Sequence, residues 1–159
     1  MKKAISLALV AIMSLCLFAG CSDPLYDEFE KFLNEDMVDV NANYEVIKEQ
    51  AGSWANMETV EEMVASIKDN IMPTVEDSLD KLSKIELQTE EVKALKDKYV
   101  EMMEAYKAGF ADVLAGLEAN DTDLATSGNE KINEGIALLD EYNAGLEALA
   151  EQVGAEIEY

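Results

Sequence analysis

The residues that could carry chemistry in this chain are carboxylates and two cysteines, because the sequence contains neither histidine nor arginine. Without histidine, the usual proton shuttle near neutral pH and the commonest transition-metal ligand are both missing. Helical bundles that hold two metal ions use inward-facing Glu and Glu-x-x-His motifs, and no phosphate-binding glycine loop occurs either. The sequence therefore predicts no catalytic residue, no metal site and no cofactor, and a protein that is not an enzyme.

One acidic segment has the beginning of a calcium-binding loop. Asp121 and Asp123 match the first two ligand positions of an EF-hand, but the pattern then needs Asp or Asn at Ala125 and Gly at Thr126. The match fails, and the segment is interpreted as a polar turn that caps a helix. Copper binding by methionine is also disfavoured, because Met37, Met57 and Met102 fall on apolar helical stripes.

The first residues have the layout of an export signal. Lys2 and Lys3 precede an apolar stretch over residues 4–19, and a short positive region followed by a hydrophobic run is typical of secretory signals. The stretch is shorter than the roughly 20 apolar residues that a membrane-spanning helix needs. Residues 1–20 are therefore predicted to be a cleaved signal peptide.

The segment Leu17-Phe18-Ala19-Gly20-Cys21 resembles the lipobox of bacterial lipoproteins, in which small residues precede a cysteine. The resemblance implies cleavage between Gly20 and Cys21 and a diacylglyceryl anchor on the Cys21 thiol. Phe18 departs from the pattern, which usually has leucine or another aliphatic residue there. The alternatives are an ordinary signal peptide with an incidental cysteine, or a helix buried in the membrane.

Lipidation would fix both the location and the redox chemistry of the mature chain. Cys16 is lost with the signal, so Cys21 is the only cysteine left, and thiol catalysis and an intrachain disulfide are excluded. Two acyl chains give stable attachment where one is marginal. The protein is thus expected at the cell membrane on its extracytoplasmic face, and Ser22 allows sorting to an outer membrane in a cell that has one.

The mature chain is strongly acidic. After loss of the signal, 10 lysines face 34 acidic residues, a net charge of −24. Such a surface is repelled by nucleic acid and by anionic lipid headgroups, so the sequence predicts no nucleic-acid partner and a domain that does not lie flat on its membrane. The charge is spread along helical faces and is mostly a solvated surface.

Apolar residues recur at spacings of three and four, which is typical of helices. They predict an all-α fold, an antiparallel up-down-up-down four-helix bundle with helices over 24–49, 57–86, 90–119 and 123–156. Asp23 and Pro24 form an N-cap signal, and Gly52 and Ser53 mark a turn over residues 50–56. Pro73 predicts a kink in the second helix, with a break into five helices as the alternative.

When successive stripes are paired as antiparallel neighbours, the midpoints of the three pairings fall at Gly52, at 88/89 and at Thr122. These are the places where turns are predicted. This register predicts packing layers, of which two are Phe29 with Val75, Met102 and Tyr142, and Tyr44 with Val60, Leu117 and Gly128. It also places Gly109 opposite Gly135 and Gly116 opposite Gly128. Helices three and four are therefore expected to approach each other closely, since large rings facing glycines keep the packed volume even.

Two places are candidates for partner binding. In the predicted register, helix one is too short to cover the membrane-facing end, which leaves an apolar groove lined by Leu82, Ile85, Val92, Leu95, Leu149 and Val153. The alternative is a tapered three-helix end. At the opposite tip Trp54, the only tryptophan, either caps the core over Ile47 and Met57 or is an exposed aromatic anchor of the kind enriched at binding hot spots.

The overall pattern is similar to that of small, largely uncharacterised Gram-positive lipoproteins with an acidic helical bundle directly behind the lipobox, a comparison that implies no activity. The leading interpretation is a non-enzymatic envelope lipoprotein that acts as an interaction or scaffold module and contacts another envelope protein. The alternative is an extracytoplasmic small-ligand or signal-binding domain. A ligand binder should contain a cavity on which polar groups converge, whereas the predicted seams are apolar.

Overall fold

A computed structural model describes residues 23–157, and every regular element in that range is a helix. The predicted all-α class is therefore confirmed for the described residues, while the predicted signal peptide 1–20 and Cys21 lie outside them. Connections at 57–59, 85–89 and 120–121 separate four helical stretches. These comprise α1 (Pro24–Lys31), a π-helical segment (Phe32–Asp36), α2 (Val38–Ser53) and a 3₁₀ turn (Trp54–Asn56); α3 (Val60–Ala65), a π-helical segment (Ser66–Ile71) and α4 (Met72–Lys84); α5 (Glu90–Ala119); and α6 (Thr122–Val153).

Side-chain caps begin three of these stretches. The Asp23 carboxylate accepts the Leu25 N–H at 3.0 Å ahead of Pro24, and Thr59 forms a reciprocal capping box with Glu62 at the start of α3. Such caps satisfy backbone N–H groups that have no partner inside the helix. Further along the chain, α5 spans the same residues as the predicted third helix and ends at Asn120 in the left-handed conformation, with φ 52°.

The first connection lies later in the chain than predicted. Gln50, Gly52 and Ser53 are part of α2, the 3₁₀ turn follows, and the chain reverses at 57–59. Glycine inside a helix costs about 1 kcal/mol relative to alanine, which tertiary packing can offset. Here Ala51 and Trp54, on either side of Gly52, pack against the core. Glycine was therefore a misleading turn signal at this position.

The late reversal changes the register of the first helical stretch. Tyr44 was predicted to lie level with Leu117, but its ring stacks on Tyr106 with 6.4 Å between centroids. Trp54 likewise meets Phe110 edge-on at 5.8 Å. The predicted layers that involve helix one are therefore wrong by about three helical turns.

α5 and α6 run antiparallel and lie very close together. Tyr99 meets Tyr142 at 5.0 Å between ring centroids, and a Cβ on Gly128 would lie 2.6 Å from the Gly109 carbonyl oxygen. The close approach predicted for these helices is confirmed, but the pairing is not. Gly109 lies between Gly128 and Ile132 instead of opposite Gly135, and Gly116 faces Ala125 instead of Gly128. The register is therefore shifted by about one turn.

The chain passes Pro73 without leaving the helix. The π-helical segment Ser66–Ile71 directly precedes it, and the Met72 N–H donates to the carbonyl of Ile67. A π turn holds one more residue than an α turn and is a known site of helix distortion. The helical backbone is continuous from Val60 to Lys84, so the alternative of a break at Pro73 is wrong.

One hydrophobic core runs through the described residues. It includes most of the predicted stripe positions and four buried apolar side chains that the stripes missed, Phe32, Leu87, Met103 and Ala150. We call the end of the body that holds Pro24, the 85–89 connection and Val153 the proximal end. The end that holds the 57–59 and 120–121 connections is called the distal end.

Candidate functional site

At the proximal end, one carboxylate joins the first helical stretch to the third. Glu28 of α1 accepts hydrogen bonds from the Gln88 N–H at 2.6 Å, from the Thr89 N–H at 2.7 Å, and from the Thr89 hydroxyl. Thr89 is the N-cap residue of α5. The Glu28 carboxylate therefore ties the first helix to the start of the third, a contact we call the Glu28 clamp.

The clamp changes the acidity of its own carboxyl group. Partial burial acts to raise the pKa of Glu28, but the hydrogen bonds from Thr89 and Gln88 and the charge of Lys93 outweigh it, so that the pKa lies below its ordinary value. Hydrogen bonds to a carboxylate favour the ionised form. Sequence reasoning missed this contact because Glu28 and its partners are far apart in the chain.

The predicted apolar groove at the proximal end is not open. Leu82 and Val92 are fully buried, and Leu95 and Leu149 are 6% and 5% exposed. The cover comes from parts of the chain that the predicted register did not place there, since Leu87, Ala155 and Ile157 also pack against the core. The prediction of an uncovered groove at this end is therefore wrong.

The other two predicted contact residues, Ile85 and Val153, are partly buried and pack against the same core. Ile85 borders a mostly charged surface depression between the first and second helical stretches, and its carbonyl accepts a hydrogen bond from the Lys96 ammonium at 3.1 Å. Leu95 and Leu149 line a shallow groove of about 300 Å³ between α5 and α6. The six residues thus do not form one surface.

Trp54 is part of the packed body. Besides its ring contact with Phe110, its indole N–H donates to the Ser66 hydroxyl at 3.2 Å, and that hydroxyl donates to the Gln50 side chain at 3.2 Å. Its side chain is partly buried and packs against the core. This arrangement agrees with the interpretation of Trp54 as a core-capping residue and not with an exposed anchor.

Polar groups do meet inside the body, at a cluster of tyrosines. The Tyr99 hydroxyl donates to the Asn41 side chain at 3.5 Å, and Tyr44 and Tyr106 interact through their hydroxyls. Burial is the main cause that raises the pKa of Tyr99, Tyr106 and Tyr142 above the ordinary value. These hydroxyls are therefore neutral at physiological pH, and those of Tyr99 and Tyr106 act as hydrogen-bonding groups.

The distal end carries an open groove in the seam between α3 and α5, with a volume of about 700 Å³. We call it the distal groove. Apolar side chains line part of it, and Val60 is 45% exposed. The residues that line it are Val60, Glu61, Val64, Ala65, Lys68, Asp69, Leu117, Glu118 and Asn120. Sequence reasoning placed an apolar groove at the other end of the molecule.

Residues 23–157 contain no group of three or more Asp, Glu, Cys or His side chains placed to hold a metal ion. Within the same range, no helix has both the length and the apolar character required to cross a membrane. The described surface is dominated by carboxylates and by lysines paired with them, for example Lys81 with Asp77 at 2.8 Å.

These features describe an acidic helical domain that begins immediately behind the candidate lipidation cysteine, which is the organisation of a lipoprotein. Residues 1–156 match the model of the EMYY-motif containing lipoprotein family, and the chain belongs to that family. The tetrapeptide of the family name does not occur in the sequence, where Glu-Met is found at 62–63 and 101–102. No curated protein and no solved structure matches the chain.

Proposed function

We propose that this protein is a non-enzymatic envelope lipoprotein, anchored through lipid on Cys21, that serves as an interaction or scaffold module at the outer face of the membrane. Membership of a lipoprotein family supports the anchor. The lipobox, the cleavage between Gly20 and Cys21 and the extracytoplasmic location are parts of this proposal. So is the absence of a catalytic role.

The observation that carries the scaffold role is the Glu28 clamp. α1 begins at Pro24, close behind Cys21, and Glu28 joins it to the first residues of α5. α5 continues from there as a single helix of 30 residues, which is about 45 Å long at 1.5 Å per residue. A lipid on Cys21 would thus be coupled to a stiff rod that holds the distal end well above the membrane.

We further propose that the four helical stretches form one antiparallel up-down-up-down bundle. Three contacts between successive stretches support it: Asn43 donates to Asp77 at 2.7 Å, Lys107 pairs with Glu76 at 3.1 Å, and Tyr99 meets Tyr142. The short connections between stretches also favour antiparallel neighbours.

A membrane pull-down of the native protein beside a Cys21→Ala variant, combined with the intact mass of the mature chain, tests the function. We expect a wild-type chain that starts at Cys21, carries a lipid and co-purifies a specific membrane protein that the variant does not retain. A mature wild-type chain with an unmodified Cys21, released from the membrane, would refute the anchor and with it the scaffold role.

The tyrosine cluster favours a second candidate, a small-ligand or signal-binding domain, because polar groups converge there. However, Tyr99 is hydrogen-bonded to Asn41, and Tyr44 to Tyr106. These polar groups therefore already have partners within the protein and do not need a ligand to pair them. A ligand that binds only the folded state raises Tm with its concentration. We therefore expect no such rise for the purified domain in a screen of small polar and aromatic molecules, and a saturable rise lost in Tyr106→Phe would favour the ligand-binding role.

A further inference from the structure

The distal groove has an apolar floor that belongs to the core pattern of the protein. Val60 and Val64 continue the stripe of Ile67 and Ile71 at helical spacing. Ile67 and Ile71 are fully buried, whereas Val60 is 45% exposed. On the facing helix, Leu117 is one turn beyond the buried Val113. The core stripe thus runs on past the region where other helices cover it.

No residue of α1, α2 or α6 lines this groove. α3 and the π-helical segment that follows it form one wall, and the end of α5 forms the other. Of the apolar side chains between them, Val60 is exposed, whereas Val64 and Leu117 are partly buried. An amphipathic helix that lays its apolar face between two helices is a recurrent mode of recognition. The shape therefore suits a helical segment with apolar residues at spacings of three and four.

The rim of the groove is acidic. Glu61, Asp69 and Glu118 surround it together with Lys68. Among the described residues, Lys68 is the one lysine with neither an ion pair nor a hydrogen bond, and none of the three rim carboxylates forms an ion pair within that range. Three free carboxylates beside an apolar floor complement a partner that carries positive charge.

The same charges disfavour other occupants. A second copy of the mature chain would bring its own net charge of −24, and like charges brought together across an interface oppose association. Anionic lipid headgroups and nucleic acid are repelled for the same reason. An uncharged apolar segment would leave the rim carboxylates partly desolvated without a counter-charge, which is costly.

We propose that the distal groove docks a cationic amphipathic helix of another envelope protein. This inference rests on the proposed scaffold function and adds to it the surface and the chemical class of the partner. Apolar side chains of the partner would contact Val60, Val64 and Leu117, and its lysines or arginines would pair with the rim carboxylates. The Glu28 clamp, at the other end of the rod, would hold this surface away from the membrane.

Site-specific photocrosslinking of the full lipid-anchored chain in intact cells tests the proposal. A photoreactive phenylalanine analogue replaces Val60, and in a matched control it replaces Val46, which lies on α2 and is 42% exposed. We expect an adduct at position 60 whose crosslinked peptide is net positive and has apolar residues at helical spacing. The control position should not capture that peptide.

Charge reversal at the rim gives a second readout. Glu61→Lys combined with Glu118→Lys should lower the yield of the adduct about tenfold, since two exposed ion pairs together contribute on the order of 1 kcal/mol or more. Glu104→Lys combined with Glu134→Lys makes the same change in net charge outside the groove and should leave the yield unchanged. Circular dichroism of both variants verifies that the fold is retained.

Four results would overturn the proposal: no adduct at position 60, an adduct with a second copy or with lipid, a crosslinked peptide that is acidic or not amphipathic, or equal losses of yield in the two charge-reversed variants. If the pull-down of the native protein still recovers a specific partner in such a case, the scaffold function stands and only the docking surface is wrong. If no partner is recovered either, both proposals fail.

Discussion

Glu28 satisfies, with one carboxylate, three donors at the start of α5 that the helix itself cannot pair. Glu28 is held in place by α1, and this helix begins at Pro24 behind the Asp23 cap. One side chain therefore ties α1 to the start of α5, and its ionisation should change the stability of the whole domain.

Replacing Glu28 by glutamine should destabilise the domain in a pH-dependent manner. The pKa of Glu28 is lowered in the folded protein, so its contribution to the free energy of unfolding is present above the ordinary pKa of about 4.5 and is lost as the pH falls through the folded value. We expect Tm of the variant to be about 2–4 °C below wild type at pH 7, and the gap to shrink below pH 4.

The comparison is made as a difference between the two proteins at each pH, because the other carboxylates titrate in both. Glu30→Gln is a suitable control, since Glu30 lies on the same helix and forms no hydrogen bond or ion pair within residues 23–157. An equal and pH-independent gap for the two variants would contradict the clamp.

Because of its buried tyrosines, we expect the domain to lose stability at alkaline pH. The pKa values of Tyr99, Tyr106 and Tyr142 are raised in the folded protein, chiefly by burial. Groups whose folded pKa is raised stabilise the fold below the unfolded value of about 10 and lose that contribution as the pH rises above it. We expect phenolate absorbance of these residues to appear only together with unfolding, and gradual ionisation of a folded domain above pH 10 would show the cluster to be open.

At the scale of the elements, the seam between α5 and α6 depends on residues without a Cβ. A Cβ on Gly128 would lie 2.6 Å from backbone atoms of Gly109 and Val113, while a Cβ on Gly52 would meet nothing within 4 Å. The two helical glycines can therefore be compared directly. Gly128 is required by the close approach of two helices, whereas the position of Gly52 has room for a side chain.

Alanine substitution should change the stability of the domain in opposite directions at the two glycines. Gly128→Ala must push α5 and α6 apart, and we expect a loss of about 2–3 kcal/mol, or roughly 5–10 °C in Tm. Gly52→Ala should be neutral or stabilising by up to about 1 kcal/mol, because alanine favours the helix. Thermal unfolding followed by circular dichroism measures both, and equal effects would show that the seam can relax without cost.

Sequence alone located the helices well but not their register. Apolar stripes identify buried positions such as Phe29, Val75 and Met102, because burial of one face produces the helical period. Two stripes of equal period, however, fit one another in several registers that differ by whole turns. The choice depended on Gly52 as a turn, and helix propensity is too weak a signal to exclude a glycine from a packed helix.

The candidate sites follow from that register. The predicted apolar groove at the proximal end was wrong, because helix one was displaced by about three turns. The Glu28 clamp could not be predicted at all. Its partners Gln88 and Thr89 are distant in sequence, and a glutamate one turn into a helix is ordinary for its position.

At the scale of the whole molecule, charge is the dominant property. The mature chain has 10 lysines against 34 acidic residues, and most lysines are already paired with neighbouring carboxylates, for example Lys98 with Glu101 at 2.9 Å and Glu141 at 3.1 Å. The excess of carboxylates therefore repels itself, and this repulsion opposes the compact state.

Salt should stabilise this domain. Raising the ionic strength from about 0.01 M to 0.15 M shortens the screening length from about 30 Å to about 8 Å, which weakens repulsion across the molecule more than it weakens the short ion pairs. We expect Tm at pH 7 to rise by several degrees, with sodium chloride and potassium chloride equivalent. A fall in Tm would mean that the ion pairs outweigh the net repulsion, and an effect confined to divalent cations would indicate a specific cation site.

The Glu28 clamp also has a mechanical consequence. A pull on the lipid would enter the protein at Asp23 and reach α1 first, where the hydrogen bonds from Gln88 and Thr89 are among the first contacts to bear the load. If they yield, α1 would have to withdraw the fully buried Phe29 from the core before the load passes Phe32 and reaches the seam between α5 and α6. The eight residues of α1 would then unwind first and lengthen the tether under tension, before α5 and α6 separate.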